Sequence, residues 1–180
     1  MCMAALQKNM AYAKVVAYQT SMNDPVAKSL ATFMLGYTEH NQDDRVSQTA
    51  LQDHGERTVR IMAKMPYARF LGMKVKIESG PLLTYLPTQE KLTGNPNLPA
   101  LHGGVIGSFL ELTALSEWLF RTGEQDLPRT TSFSMNYLRS DRTQDTFGRA
   151  VITRQGRRIS RPLSGNQMLT SRLLWLAVTY

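Results

Sequence analysis

The chain has 180 residues, 42% of them hydrophobic, which is enough for one globular core and too little for a multi-domain machine. Its single cysteine, Cys2, excludes a disulfide framework and a cysteine-ligated metal site and fits a reducing compartment, so a cytoplasmic protein is expected. The net charge of +7 is uneven: seven arginines between Arg139 and Arg161 face only Asp141 and Asp145, which leaves five of the seven excess charges in that stretch.

An arginine run of this kind is either a solvated face or a surface for an anionic partner such as nucleic acid, a lipid headgroup or a phosphorylated small molecule. No helix-turn-helix, zinc-finger spacing or aromatic RNA-binding strand accompanies it, so nucleic acid is not expected. Lys8, Asn9, Lys14 and Gln19 interrupt every N-terminal apolar run before it reaches the length of a secretory segment. The apolar run Leu173 to Val178 is far too short to span a bilayer, so the chain is expected to be soluble.

In chain order, residues 1 to about 66 read as helical and polar-rich, with Asp24-Pro25 as a helix start and a second helix from about Ser47 to Lys64. Met65-Pro66 closes that region. From Phe70, Leu71, Met73, Val75 and Ile77 alternate with Gly72, Lys74, Lys76 and Glu78, the period-two pattern of a half-buried strand. Gly80-Pro81 is a turn, Leu82 to Leu86 a second strand, and Pro87 to Leu101 a loop rich in turn residues.

Gly103 to Phe120 is a strong helix whose apolar residues lie almost all round the cylinder, as expected of a helix buried on most sides; Gly123 supplies a C-terminal cap. Thr130 to Leu138 and Phe147 to Thr153 follow as strands. Gln155-Gly156 reads as a hairpin turn into Arg157 to Ser160, and Leu173 to Thr179 as a last strand. The order predicts an α+β layer architecture with the helix against one sheet face.

Glu111 stands mid-helix among Phe109, Leu110 and Leu112, where an unpaired ionised carboxylate costs several kcal/mol, so the sequence predicts that something compensates it. Glu117 is read differently: it lies four residues before Arg121, and a solvated ion pair accounts for it. At about 100° per residue Glu111 shares a stripe with Gly104, Gly107 and Ser108, a groove of small side chains that receives either another backbone or a ligand. At the start of the same helix, His102-Gly103-Gly104 offers free N–H groups that can stabilise a carbonyl oxygen gaining negative charge, although helix-start glycines are also common for steric reasons. Gly103 and Glu111 are eight residues apart, about 12 Å along the axis. One carbonyl cannot touch both, so if both act on one bond the carboxylate comes from a symmetry-related chain and the protein is an obligate dimer with two shared sites.

The stretches "NPNLPALHGGVIGSFLELTAL", "FSMNYLRSDRTQD" and "RAVITRQGRR" resemble the hotdog-fold acyl-CoA thioesterases related to the phenylacetate-pathway enzyme, over roughly Pro66 to Arg158. The resemblance implies a curled antiparallel sheet around one long helix, in a homodimer or a homotetramer built from two dimers. On that basis residues 1–65 form an extra helical segment and 66–180 the hotdog domain. It further implies that Glu111 acts as general base or nucleophile, that the Gly103 N–H polarises the thioester carbonyl, and that His102 shapes the turn presenting it. Asn95 or Asn97 would supply an assisting amide, although Pro96 occupies the aligned position, and Thr130 or Thr131 a hydroxyl that orients water. Gly104, Arg154, Arg157 and Arg158 would meet the coenzyme A moiety, which belongs to the substrate; no metal or other cofactor is implied. Beyond Arg161 the sequence does not continue the family's expected strand pair, since Pro162 interrupts it.

A non-catalytic acyl-CoA-binding module is the alternative. A hydratase or dehydratase would have His102 as its one candidate base, and a serine hydrolase is disfavoured because Ser108 lacks the Gly-x-Ser-x-Gly elbow.

Overall fold

A computed structural model of the chain describes residues 10–35, 48–77, 82–95, 97–140 and 142–155. In order these form β1 (Met10–Tyr18), β2 (Pro25–Met34), α1 (Gln48–Lys64), α2 (Pro66–Leu71), β3 (Lys74–Ile77), β4 (Leu82–Leu86), a 3-10 turn (Glu90–Leu92), β5 (Thr93–Asn95), β6 (Leu98–Leu101), α3 (Gly103–Thr122), β7 (Arg129–Tyr137) and β8 (Thr146–Gln155). Six strands make one antiparallel sheet in the order β3-β4-β8-β1-β2-β7, and β5 and β6 pair separately. A long central helix against a single antiparallel sheet is the α+β hotdog architecture that the sequence leads one to expect.

The helix is buried because of its composition. From Leu112 to Phe120 every residue of α3 is buried, as an element apolar on nearly all sides requires. The buried face of the central strands carries mostly small side chains, Ala11, Ala13, Val15 and Ala17 from β1 and Ala27 and Ala31 from β2, with Phe33 as the large exception. Contact is closest at Gly148 of β8, where a Cβ would come within 2.6–3.0 Å of Thr84 Oγ1, Thr113 Oγ1 and Phe109 Cζ. The Thr84 and Thr113 hydroxyls lie 2.7 Å apart there, and Thr84 Oγ1 is 3.0 Å from the Gly148 carbonyl, so these two buried hydroxyls are satisfied locally.

The N-terminal segment departs from the helical reading. Residues 10–34 form a β-hairpin, with Pro25 opening a strand rather than a helix. This hairpin occupies the sheet between β8 and β7. The cause is visible in β1, MAYAKVVAY: Ala11, Ala13, Val15 and Ala17 alternate inward, but alanine is a strong helix former and carries little period-two contrast. The second helix of the region agrees with α1. Residues 66–71, by contrast, form α2, closed by Gly72 with φ of 69°, so the strand anticipated from Phe70 begins only at Lys74. The loop before His102 contains the β5–β6 hairpin. The anticipated turn at Gln155-Gly156, strand Leu173 to Thr179 and loop turn Gly80-Pro81 lie wholly or partly outside the described residues.

Phe33 on β2 has no exposed surface. Phe33→Ala is therefore expected to lower the unfolding free energy by about 3–5 kcal/mol in a urea titration, in one cooperative transition. A hairpin merely appended to the domain would leave that transition unmoved.

Candidate functional site

The local chemistry of α3 begins at its first turn. His102 is the N-cap: its Nδ1 accepts the Gly104 N–H at 3.0 Å, while its carbonyl accepts from Val105 and Ile106. The Gly104 N–H is thus used by the cap, whereas the Gly103 N–H has no hydrogen-bond partner among the described residues. One helix-start donor, that of Gly103, is therefore left free at the positive end of the helix dipole. The Gly103 carbonyl accepts the Tyr137 hydroxyl at 2.8 Å, and a Cβ on Gly103 would approach that hydroxyl to 2.8 Å. Tight packing of Tyr137 is thus reason enough for glycine at this position.

Along the same face Gly104 is exposed, and Gly107 is buried, with Met135 Cε at 3.1 Å from where its Cβ would stand. Ser108 and Glu111 are half-buried. Ser108 donates to the Gly104 carbonyl at 2.8 Å, and the Tyr67 hydroxyl lies 3.3 Å from its Oγ. Past Glu111 the stripe closes: Leu115 and Trp118 are 8% and 5% exposed, and α1 packs over the C-terminal half of the helix. That packing is pinned by Arg57, which donates to the Gly123 carbonyl at 2.6 Å, and by His54 against the Phe120 carbonyl at 3.2 Å. From the helix start to Glu111 the stripe is exposed at Gly104, covered by Met135 at Gly107, and half-buried at Ser108 and Glu111, beyond which it closes.

The two glutamates exchange the environments assigned to them from sequence. Glu111 is half-buried and has no hydrogen-bond or ion-pair partner among the described residues, so it is a partly solvated carboxylate at the end of a groove. Glu117 forms the anticipated pair with Arg121, Nε to Oε1 at 2.7 Å, but it is not solvated: its side chain is 1% exposed and Oε2 is without a partner among the described residues. Burial pushes the Glu117 carboxyl above its ordinary range, and Arg121 and Arg149 offset this only in part. An i,i+4 pair looks the same in sequence whether or not a sheet covers the acid.

His102, Gly103 and Gly104 are together at the helix start, and Asn95 is near them, since it follows Gly94, whose Cβ would lie 2.9 Å from His102 Cα. The Asn95 side chain lies outside the described residues, and Asn97 is an exposed turn residue. Thr130 and Glu111 are not brought to Gly103 within one chain. Glu111 is about 12 Å further along the helix. Thr130 is seven residues along β7 from Tyr137, the residue that touches Gly103, a separation of about 24 Å at the rise of a strand. Thr131 spends its hydroxyl on the Thr32 carbonyl at 3.1 Å. Arg154 belongs to β8 opposite Tyr12, with its side chain outside the described residues, as are Arg157 and Arg158 altogether.

Two groove residues had no signal in the sequence. Tyr137 and Tyr67 reach α3 from 34 and 41 positions away, and neither sits in a spacing that marks it. Tyr67 is 48% exposed and stacks on Phe70, 55% exposed, with ring centroids 6.0 Å apart. Among the described residues no group of three or more His, Cys, Asp or Glu side chains could hold a metal ion, and no helix is long and apolar enough to cross a membrane.

Comparison with known proteins gives a family match over part of the chain. A family model of the thioesterase superfamily matches residues 98–161, from β6 through α3 and β7 to the end of β8. The chain is also similar to a protein from the thioesterase superfamily whose X-ray structure is known: 14% identity, 56% of this chain and 98% of that one, with a TM-score of 0.37. No curated protein matches.

The Glu117 environment fixes the sign of a pH effect. Below its unfolded value of 4.5 the carboxyl is protonated in both states and burial costs no charge; above the raised folded value the buried charge opposes folding in full. Glu117→Gln should therefore raise Tm at neutral pH, with the advantage over the parent shrinking through the window above pH 4.5 and vanishing below it. A lower Tm for the variant at neutral pH would mean that the Arg121 pair outweighs the burial.

Proposed function

We propose that this protein is an acyl-CoA thioesterase, hydrolysing an acyl- or aryl-CoA to the free acid and coenzyme A. The observation that carries the reading is the groove on α3, which starts at the unpartnered Gly103 N–H and stops at the unpartnered Glu111 carboxylate. The thioesterase superfamily match covers both ends of that groove. In the reaction Glu111 takes a proton from water, whose oxygen attacks the thioester carbonyl carbon, or attacks that carbon itself to give a mixed anhydride that water then opens. The carbonyl oxygen, now negative, accepts from the Gly103 N–H. Collapse breaks the C–S bond, and the thiolate leaves and takes up a proton. His102 acts by holding the first turn in place, and the coenzyme A is part of the substrate rather than a resident cofactor.

The 12 Å between the two ends requires two chains, so the working unit is a homodimer, alone or paired into a tetramer. Strand β7 supports this. It is an edge strand of nine residues, about 30 Å long, and no described strand pairs with its outer side. A long open edge is a ready template for a second copy. Antiparallel pairing about its central residue, Phe133, sets the partner's Thr130 opposite Asn136, next to the Tyr137 that touches Gly103. The same operation carries the partner's Glu111 toward this Gly103. Tyr67 and Met135 border the groove and are the candidates for contact with the acyl group.

The test is thiol release from a panel of short, medium, long and aryl acyl-CoAs by the parent protein and by Glu111→Gln. The account expects turnover by the parent and a loss of about 10²–10⁴-fold in the variant, with fold and association unchanged. A fully active variant would remove Glu111 from the mechanism. Coenzyme A binding without hydrolysis of any ester would identify a sensing module.

A further inference from the structure

A second concave site lies at the N-terminal end of α3, apart from the groove. It is a cavity of about 480 Å³ lined by Pro99 and Ala100 of β6 and by Ser140, Arg142, Thr143 and Gln144 of the β7–β8 connection. That volume lies within the roughly 300–1,000 Å³ of small-molecule sites. Its walls are fixed. Ala100 bridges Arg142, the Thr143 N–H donates to the Pro99 carbonyl at 3.2 Å, and Gln19 Nε2 donates to the Arg142 carbonyl at 2.7 Å. Gln144 Nε2 in turn donates to Gln19 Oε1 at 2.6 Å. The backbone of the connection is thereby tied to β6 on one side and to the residue following β1 on the other.

Among the described residues, the charge of this cavity is one-sided. Arg139 is spent on Asp24, at 2.6 Å to its carboxylate and 2.8 Å to its carbonyl. Asp145 is spent in the other sense, accepting from Tyr85 at 2.6 Å and from the Thr88 N–H and hydroxyl at 2.8 and 3.0 Å. The Arg142 guanidinium has no hydrogen-bond or ion-pair partner among the described residues, and the Ser140 hydroxyl none either; Asp141 lies outside them. The Thr143 hydroxyl makes a long bond of 3.5 Å to the Pro99 carbonyl, so an exposed guanidinium and the Ser140 hydroxyl, with Thr143 able to exchange its weak partner, form the donor set for the oxygens of a phosphate. Ala100 is three residues from Gly103, so the cavity opens at most about 11 Å from the free helix-start N–H.

We propose that this cavity is a phosphate subsite, with Arg142 as its principal donor and Ser140 and Thr143 assisting, and that it holds the phosphate-bearing end of the thioester substrate. The second half of that statement rests on the thioesterase reading; the first does not. The subsite differs from the arginines at 154, 157 and 158 that the family resemblance points to, and it gives the excess positive charge of the stretch a specific ligand chemistry.

The test has two arms on the full chain. In the first, calorimetric titration with inorganic pyrophosphate and with adenosine 3′,5′-bisphosphate is run on the parent, Arg142→Ala and Arg142→Lys. Affinity for both should fall about tenfold or more in Arg142→Ala and partly return in Arg142→Lys, because one charge-assisted contact is lost and then partly restored. In the second, kcat/KM is measured for an acyl-CoA and for the same acyl group on N-acetylcysteamine, which carries no phosphate. The ratio of the two constants should fall about tenfold in Arg142→Ala, with the loss in KM. An equal effect on both esters, or unchanged pyrophosphate binding in Arg142→Ala, overturns the subsite. Hydrolysis of neither ester by the parent would overturn the thioesterase reading alone. The pyrophosphate arm would then decide the subsite, and a loss of binding in Arg142→Ala would mark a site for free phosphate compounds.

Discussion

A helix of twenty residues that is apolar on nearly every side needs cover on nearly every side, and most of this fold answers that need. The sheet supplies one face, lined by alanines on β1 and β2 and approached most closely at Gly148 of β8, and α1 covers the C-terminal half through contacts to the Phe120 and Gly123 carbonyls. One stretch is covered only in part, the face from Gly104 to Glu111, where Gly104 is exposed and Ser108 and Glu111 are half-buried around a buried Gly107. That face carries small residues, a hydroxyl and a carboxylate, and it begins at a helix start with a free N–H. The same constraint that makes the fold thus leaves the place where chemistry can occur.

The rise of a helix then divides the labour. An N–H at the first turn and a carboxylate two turns on cannot meet one carbonyl, and β7 runs away from the helix start over about twice that distance, taking Thr130 with it. Every group proposed for the reaction is therefore either at the first turn or far from it within one chain. In the proposed dimer, a two-fold axis through the middle of β7 would resolve this by exchanging the two ends. The cavity at Arg142 stands outside this exchange, on the connection beside the helix start, where a long substrate leaving the groove would pass.

Much of this was legible in the sequence. The all-round apolar pattern of 103–120, the strand-like runs at 130–138 and 147–153 and the stripe of Gly104, Gly107, Ser108 and Glu111 could be read without the fold. The N-terminal hairpin did not, because alanine at Ala11, Ala13 and Ala17 satisfies a strand facing a helix and equally a helix itself, and only the presence of the partner strands decides. The burial of Glu117 was hidden for a similar reason: its ion pair is local, but its cover comes from elsewhere in the chain. Tyr67, Tyr137 and the Arg142 cavity are made by contacts across tens of residues, which no local pattern records.

The claim on which the rest turns is that one catalytic site takes its N–H from one chain and its carboxylate from another. Two chains, one Glu111→Gln and one Gly103→Pro, which removes the N–H at a first helical position where proline is tolerated, each first shown to be inactive alone and then mixed under conditions that exchange subunits, test it directly. Shared sites give each mixed dimer one intact site, so random reassortment should restore about a quarter of the parent activity. No recovery from two folded, dimeric, fully exchanged variants would place the N–H and the carboxylate in the same chain and contradict the account.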